Sequence, residues 1–356
     1  MSGARSARAL TIDYDRWLAD RITVVRADVA RKHAEMHADR LRFLRGTYYL
    51  WLARVVERAG GVLDTARVPL VGDLHVENFG TWRDARQVRR WGVNDLDELG
   101  TGPWLLDPLR LAVSATLAPH IAMDDDEVCD TILDAYAQAR GGADVAVTEP
   151  GAAHLRALVP PFASPAKFYD GLAGGHPAAD LPAAVVAAAV DVAEAGWRPT
   201  WHVHEAGTGS LGHRRRVGVG RAADGRWHAR EVKELGPGTA VWAARLDGRL
   251  PQPGEGLYAR VVATVRGPAA AARVLDWQVR DLAPDIVRIE LAGLRPKDAS
   301  RLLRSMARAT ADVHATDRPA WKAARAQARA LRRKDFRALV ATMAAVVKDD
   351  FRSYDA

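Results

Sequence analysis

Residues 71–80 read V-G-D-L-H-V-E-N-F-G, and residues 93–114 read V-N-D-L-D-E-L-G-T-G-P-W-L-L-D-P-L-R-L-A-V-S. Asp73 and Asn78 stand five positions apart as D-x-x-x-x-N, and Asp95 follows the β-like run 88–93. Residues 79–82 and 88–93 predict a hairpin that hands the chain from Asn78 to Asp95. Phosphoryl transfer from ATP needs a carboxylate that orients or deprotonates the acceptor hydroxyl, then an amide oxygen and a second carboxylate that hold Mg²⁺ on the phosphates. The stretch supplies those groups in that order: Asp73 as the catalytic carboxylate, Asn78 and Asp95 as metal ligands. Asp97 is a candidate further ligand, and Glu98 reads as a loop-bonding residue. Taken singly, Asp73 and Asn78 could equally stabilise a turn; the D-L-D-E strand end favours the chemical reading.

In its G-D-L-H-x-x-N form this stretch resembles the catalytic and metal loops of the aminoglycoside phosphotransferase and protein kinase superfamily. That resemblance implies that Asp107, in D-P-L-R-L-A, caps the following helix and braces the loop. His75 is expected to fix the loop through a hydrogen bond, and Arg45 to be a salt-bridging helix-end residue.

The composition allows such an enzyme. A chain of 356 residues, 48% hydrophobic and 27% charged, can bury a large core in two or three lobes. The single Cys129 excludes an internal disulfide framework or a cysteine zinc cluster and reads as a buried thiol in a reducing compartment. No leader-like segment opens the sequence, and the most apolar run, 181–190, is too short to span a bilayer, so the expectation is a cytoplasmic chain without a membrane partner. The net charge of +7 would suit nucleic acid, but the arginines are spread without aromatic interleaving; nucleotide phosphates are the expected partner and nucleic acid is not.

Upstream, residues 1–12 are expected to fray. Residues 14–39 carry apolar positions at three- and four-residue steps and predict one helix; 47–58 predicts a second, stopped by Gly60-Gly61. Downstream, 109–117 and 127–140 predict helices, with Asp124-Asp125-Asp126 as a helix start rather than a metal site. Residues 181–195 predict an Ala/Val helix.

A second decisive pattern begins at Trp201. A strand-like run leads into G-T-G-S-L-G at 207–212, followed by strand-like 213–219, a turn at 223–225 and a strand-like run ending at Lys233. A dinucleotide-binding unit would need a helix after the glycines. Strand, glycine turn, strand, turn, strand and terminal lysine instead match the sheet that covers ATP phosphates in kinases. Gly207, Gly209, Ser210 and Gly212 would hold the triphosphate and Lys233 its inner phosphates. Residues 285–291, ending near Glu290, would be the last strand and the hinge that takes adenine. Lys233's acidic partner is sought at Glu255. Residues 257–266, 300–314 and 324–351 predict helices.

The blocks R-K-x-x-x-M (Arg31, Lys32, Met36), F-L-R-G at 43–46, G-D-L-H-x-x-N-F-G and N-D-x-D-E together resemble the bacterial domain-of-unknown-function family DUF2252 over nearly the whole chain. That resemblance implies a kinase-like protein and names no substrate.

The expectation is thus α+β: a bilobal protein-kinase-like fold in circularly permuted order, its mostly helical catalytic-loop lobe first and its antiparallel glycine-loop sheet second. The divisions are 1–61, N-terminal helices; 62–196, catalytic and metal lobe; 197–291, nucleotide-covering sheet; and 292–356, C-terminal helices returning to the catalytic lobe. The expected activity is ATP- and Mg²⁺-dependent phosphotransfer to a hydroxyl-bearing small molecule or peptide. The alternatives are a non-catalytic nucleotide-binding regulator and a nucleotidyl transferase using the same residues.

Overall fold

Ser6 accepts the amide of Ala9 and starts a helix, α1 (Ala7–Ala19), so residues 7–12, predicted to fray, are helical. The single helix predicted over 14–39 is two. The chain leaves α1 at Asp20, bends through Ile22, and restarts as α2 (Arg26–Met36). The apolar period runs on across the break because Ile22 is buried too, against a different neighbour, the backbone at Gly236. The computed structural model describes residues 5–84, 88–142, 145–146, 152–158, 164–191, 196–204, 212–266, 271–287, 291 and 294–354.

After α2 come α3 (Arg40–Gly46), α4 (Tyr48–Arg58) and a 3₁₀ turn, Gly60–Asp64. Then follow β1 (Arg67–Leu70), the hairpin β2 (Phe79–Arg83) and β3 (Arg89–Val93), and β4 (Gly100–Pro103), which returns antiparallel to β1. Helices α5 (Leu106–Leu117) and α6 (Asp125–Gln138) are followed by β5 (Val145–Ala146), which adds to β3, and by α7 (Ala153–Leu158), α8 (Pro165–Ala173) and α9 (Ala183–Asp191). Asp124 caps α6, as read for that acidic run.

The second half holds β6 (Thr200–Val203), β7 (Arg215–Arg221), β8 (Trp227–Glu234), α10 (Thr239–Ala243), α11 (Leu257–Val265), β9 (Ala271–Val274) and β10 (Trp277–Leu282). Helices α12 (Pro296–His314), α13 (Arg318–Ala330) and α14 (Arg333–Ser353) complete the chain. The sheet order is β6-β7-β8-β10-β9, antiparallel at every step. His213 is followed by a strand and not by a helix, which excludes the dinucleotide-unit layout.

Of the strand predicted at 285–291, residues 285–287 are irregular and 288–290 lie outside the described residues; beside β8 the sheet takes β10 and then β9. The alternating D-I-V pattern of 285–287 looks strand-like, but the carbonyls of Asp285 and Val287 serve β2. The amide of Thr81 donates to the Val287 carbonyl at 2.9 Å, and the Thr81 hydroxyl donates to the Asp285 carbonyl at 2.7 Å. Glu290 lies outside the described residues. The helix predicted over 324–351 is likewise two, α13 and α14.

The fold is thus mixed helix and sheet. The large apolar core runs from α1 and α4 through α5, α6 and α12 to α14, and takes in Trp242 and Val261 of α10 and α11. The five-stranded sheet carries two small cores of its own. Val185 and Ala189 of α9 pack on Val232, Trp277 and Val279 of one face. On the other face Tyr169 of α8 packs on Val217, Val219 and Ala229. That second face also carries Glu231 and Lys233, toward the other end of β8, since side chains alternate along a strand.

Candidate functional site

The loop after β1 is built on buried anchors. Gly72 has φ +88°, and a Cβ there would lie 2.4 Å from the Glu98 carbonyl, so only glycine fits the turn. Asp107, fully buried at the start of α5, accepts the amides of Val71 at 2.7 Å and Gly72 at 3.1 Å, and meets His314 Nε2 at 2.9 Å. His314 Nδ1 in turn meets the Tyr136 hydroxyl at 2.6 Å. Asp107 therefore braces the loop as the family resemblance implied. It does not cap α5: the N-cap is Leu105, without a side-chain bond. Ser114 accepts the Val76 amide at 3.0 Å, a second tie from α5.

These anchors fix Asp73. Its carboxylate accepts a bond from Arg110 Nη2. The Arg110 side chain is fully buried, also donates to the Leu44 carbonyl at 2.8 Å, and lies over the rings of Tyr48 and Trp51. Burial raises the Asp73 carboxyl above its ordinary pKa, and Arg110 only partly offsets that. Nothing in the motif pointed to Arg110; the available signal was the single basic residue of a largely apolar helix.

Asn78 ties the loop to the hairpin. Its Nδ2 donates to the carbonyls of Asp73 and Asp95, each at 3.2 Å, and its Oδ1 accepts the Asp95 amide at 2.8 Å. Asp95 Oδ1 accepts the Asp97 amide at 3.1 Å. The β2–β3 hairpin thus brings Asn78 and Asp95 together, as predicted.

Across from them stands β8. Lys233, 4% exposed, pairs with Asp97 Oδ2, and Gln278 of β10 donates to Asp97 Oδ1 at 2.6 Å. Burial pushes the Asp97 carboxyl up, but Lys233, Arg280 and Arg215 together outweigh it and hold the pKa at about 2. Asp97, not Asp95, is therefore the carboxylate bonded to Lys233. Glu255 is exposed and makes no such contact; its place between two glycines leaves it on the surface.

One cleft, with about 690 Å³ of empty space open to solvent, is lined by Asp73, Asn78, Asp95, Asp97 and Glu98 on the loop side and His213, Lys233 and Gly238 on the sheet side. Arg45, in the last turn of α3, lines it too and pairs with Glu77, the salt bridge expected at that helix end. His75 lines it while accepting the Glu77 amide at 3.2 Å, the loop-fixing bond expected of it. Glu98 accepts the Thr239 amide at 2.8 Å and pairs with its hydroxyl at 2.7 Å, joining the loop to α10. Burial chiefly, with repulsion from Asp73 and Asp97, pushes its carboxyl up to about 7. His213 is held neutral, at about 3, by burial and by the cations Lys233 and Arg215. Behind Lys233, buried Glu231 gathers Arg215, Arg280 and His204, a charged cluster on the sheet face that the sequence did not announce.

Gly207, Gly209 and Ser210 lie outside the described residues. Gly212 has φ +103° and accepts the Val25 amide at 3.0 Å. Among the described residues, no three His, Cys, Asp or Glu side chains stand together as a metal cage. Asn78, Asp95 and Asp97 nonetheless present hard oxygens to one cleft, and Mg²⁺ usually takes one or two carboxylates with substrate phosphates and water. That donor set fits Mg²⁺, with Asp95 as the candidate ligand not already held by a cation among the described residues.

No helix among the described residues is long and apolar enough to cross a membrane. No curated protein and no solved structure matches the chain. A family described as "Uncharacterized protein conserved in bacteria (DUF2252)" matches residues 24–140, from just before α2 through α6, and so includes the loop wall of the cleft but not the sheet.

Proposed function

We propose that this cleft is the site of an ATP-dependent phosphotransferase with a kinase-like arrangement in permuted chain order. The observation that carries the reading is the meeting of Lys233 and Asp97, 136 positions apart. A lysine near the end of the third strand of an antiparallel sheet faces the D-x-x-x-x-N…D loop across one cleft. That is the pairing phosphoryl transfer requires: a cation for the inner phosphates opposite the carboxylates that hold Mg²⁺ and orient the acceptor. Mg²⁺, when bound, would neutralise the phosphate charge, and Asp95, Asp97 and Asn78 are the residues placed to hold it.

Asp73 would orient the acceptor hydroxyl. Its bond to Arg110 fixes the carboxylate's direction, while burial keeps it more basic than a free aspartate. The acceptor is a hydroxyl-bearing small molecule or peptide.

Asp73→Asn tests this reading. In the presence of ATP, Mg²⁺ and cell extract as the source of acceptor, the variant should lose turnover ~100-fold or more while keeping ATP affinity, because a positioned acid–base group contributes ~10²–10⁴-fold. ADP release measures it. Wild-type rates in a folded Asp73→Asn protein would remove Asp73 from the mechanism. AMP and pyrophosphate as products would replace phosphoryl with nucleotidyl transfer, and ATP binding without consumption would leave the non-catalytic regulator.

A further inference from the structure

A second cavity, with about 680 Å³ of empty space open to solvent, is bounded by β2, the end of β3, the end of α11 and β10. Three arginines line it, Arg83, Arg266 and Arg280. Two of them are balanced: Arg83 pairs with Asp285, and Arg280 pairs with Glu231. Asp281, the carboxylate in the wall, pairs with Arg230.

Arg266 is the exception. It is 7% exposed and makes no ion pair among the described residues. Its Nη2 donates to the Val93 carbonyl at 2.7 Å and to that of Asn94, and its Nε has no partner. Its guanidinium carbon lies 5.0 Å from the centre of the Trp82 ring, and Trp82 Nε1, on a residue 5% exposed, is also without a partner. Carbonyl oxygens and a ring face stabilise a guanidinium without cancelling its charge, and a buried charge without a counter-ion is costly. The cavity wall therefore keeps one positive charge and two unused N–H donors, and Leu282 and Ile286 add apolar surface to it.

We propose that this cavity binds a small organic carboxylate, its apolar body against Leu282 and Ile286 and its carboxylate on Arg266 and Trp82. A carboxylate brings the one negative charge that the wall lacks, and two acceptor oxygens for the two donors. A phosphate monoester brings nearly two charges and three oxygens, more than the wall can match. This binding does not depend on the phosphotransferase reading. The two sites nevertheless meet at the end of β3: Asn94, whose carbonyl Arg266 holds, lines this cavity, and Asp95 lines the cleft.

The test follows the tryptophan indole N–H resonances of the isotope-labelled full chain by nuclear magnetic resonance while benzoate or hexanoate is added to millimolar concentration. Trp82→Phe, which keeps a ring and removes the N–H, identifies the Trp82 signal by its loss. That signal should shift saturably with either carboxylate. It should stay in place with benzamide, which has the body of benzoate without the charge, and with inorganic phosphate. Arg266→Gln should weaken carboxylate binding by ~10- to 100-fold, the value of a charge-assisted hydrogen bond, with thermal melting as the control for folding. A Trp82 signal that ignores both carboxylates, or that follows benzamide or phosphate equally well, overturns the proposal. So does a folded Arg266→Gln protein that binds them as tightly as wild type. Should Arg266→Gln not fold, the wild-type titration decides by itself.

Discussion

The two walls of the cleft are built in opposite ways. On the loop wall the site groups are held mainly by backbone-directed bonds from a deep core, Asp107 on the amides of Val71 and Gly72, Ser114 on that of Val76 and Asn78 on three backbone groups, with the buried ion pair of Arg110 and Asp73 added to them. On the sheet wall the site groups are held by charge. Lys233 leans on Asp97, and Arg215 and Arg280 lean on Glu231. Backbone-anchored groups keep their geometry when a ligand's charge arrives. Ion-paired groups can exchange partners, as Lys233 would if phosphates displaced it from Asp97. The loop wall is built to orient and the sheet wall to take up charge.

The largest expected effect breaks the loop wall. Asp107→Ala removes the acceptor for two buried amides and for His314. Each buried donor left unpaired costs ~1–3 kcal/mol, so the loss should reach ~3 kcal/mol or more. Urea denaturation measures it. A loss below ~1 kcal/mol would show that the loop stands without its brace.

A smaller effect concerns the tie between the walls, Glu98 with Thr239. The folded pKa of Glu98, about 7, is raised above its ordinary 4.5. Its stabilising contribution is therefore full below ~4.5 and lost as pH rises through ~7, where the carboxyl must ionise in a place that disfavours charge. The melting temperature of wild type minus that of Glu98→Gln should fall over that interval in the absence of metal. A difference that does not vary with pH would show that Glu98 titrates as a free carboxyl.

How far the sequence reached follows the same division. D-x-x-x-x-N and D-L-D-E are local patterns, joined by a hairpin that could be read from its own alternation, so Asn78 and Asp95 met as expected. Lys233 was legible as a strand-end lysine, but its partner was not. Asp97 lies 136 positions away, and the choice between it, Asp95 and Glu255 is made by sheet packing. The break at residues 20–25 was hidden because Ile22 keeps the apolar period while serving the sheet. Residues 285–287 alternate like a strand yet bond to Thr81 of β2. Arg110 is invisible as a site residue in sequence, since its contact with Asp73 comes from the packing of α5 around the loop.

The central claim is that one nucleotide engages both walls. Titrating Mg²⁺–ATP into wild type, Asp95→Ala and Lys233→Met tests it most directly, with melting curves to show that the variants fold. The account predicts saturable, Mg²⁺-dependent binding by wild type, and a loss of ~10-fold or more on removing the charged contact from either wall. Wild-type protein that does not bind Mg²⁺–ATP, or folded Asp95→Ala and Lys233→Met variants that bind it as tightly as wild type, would contradict it.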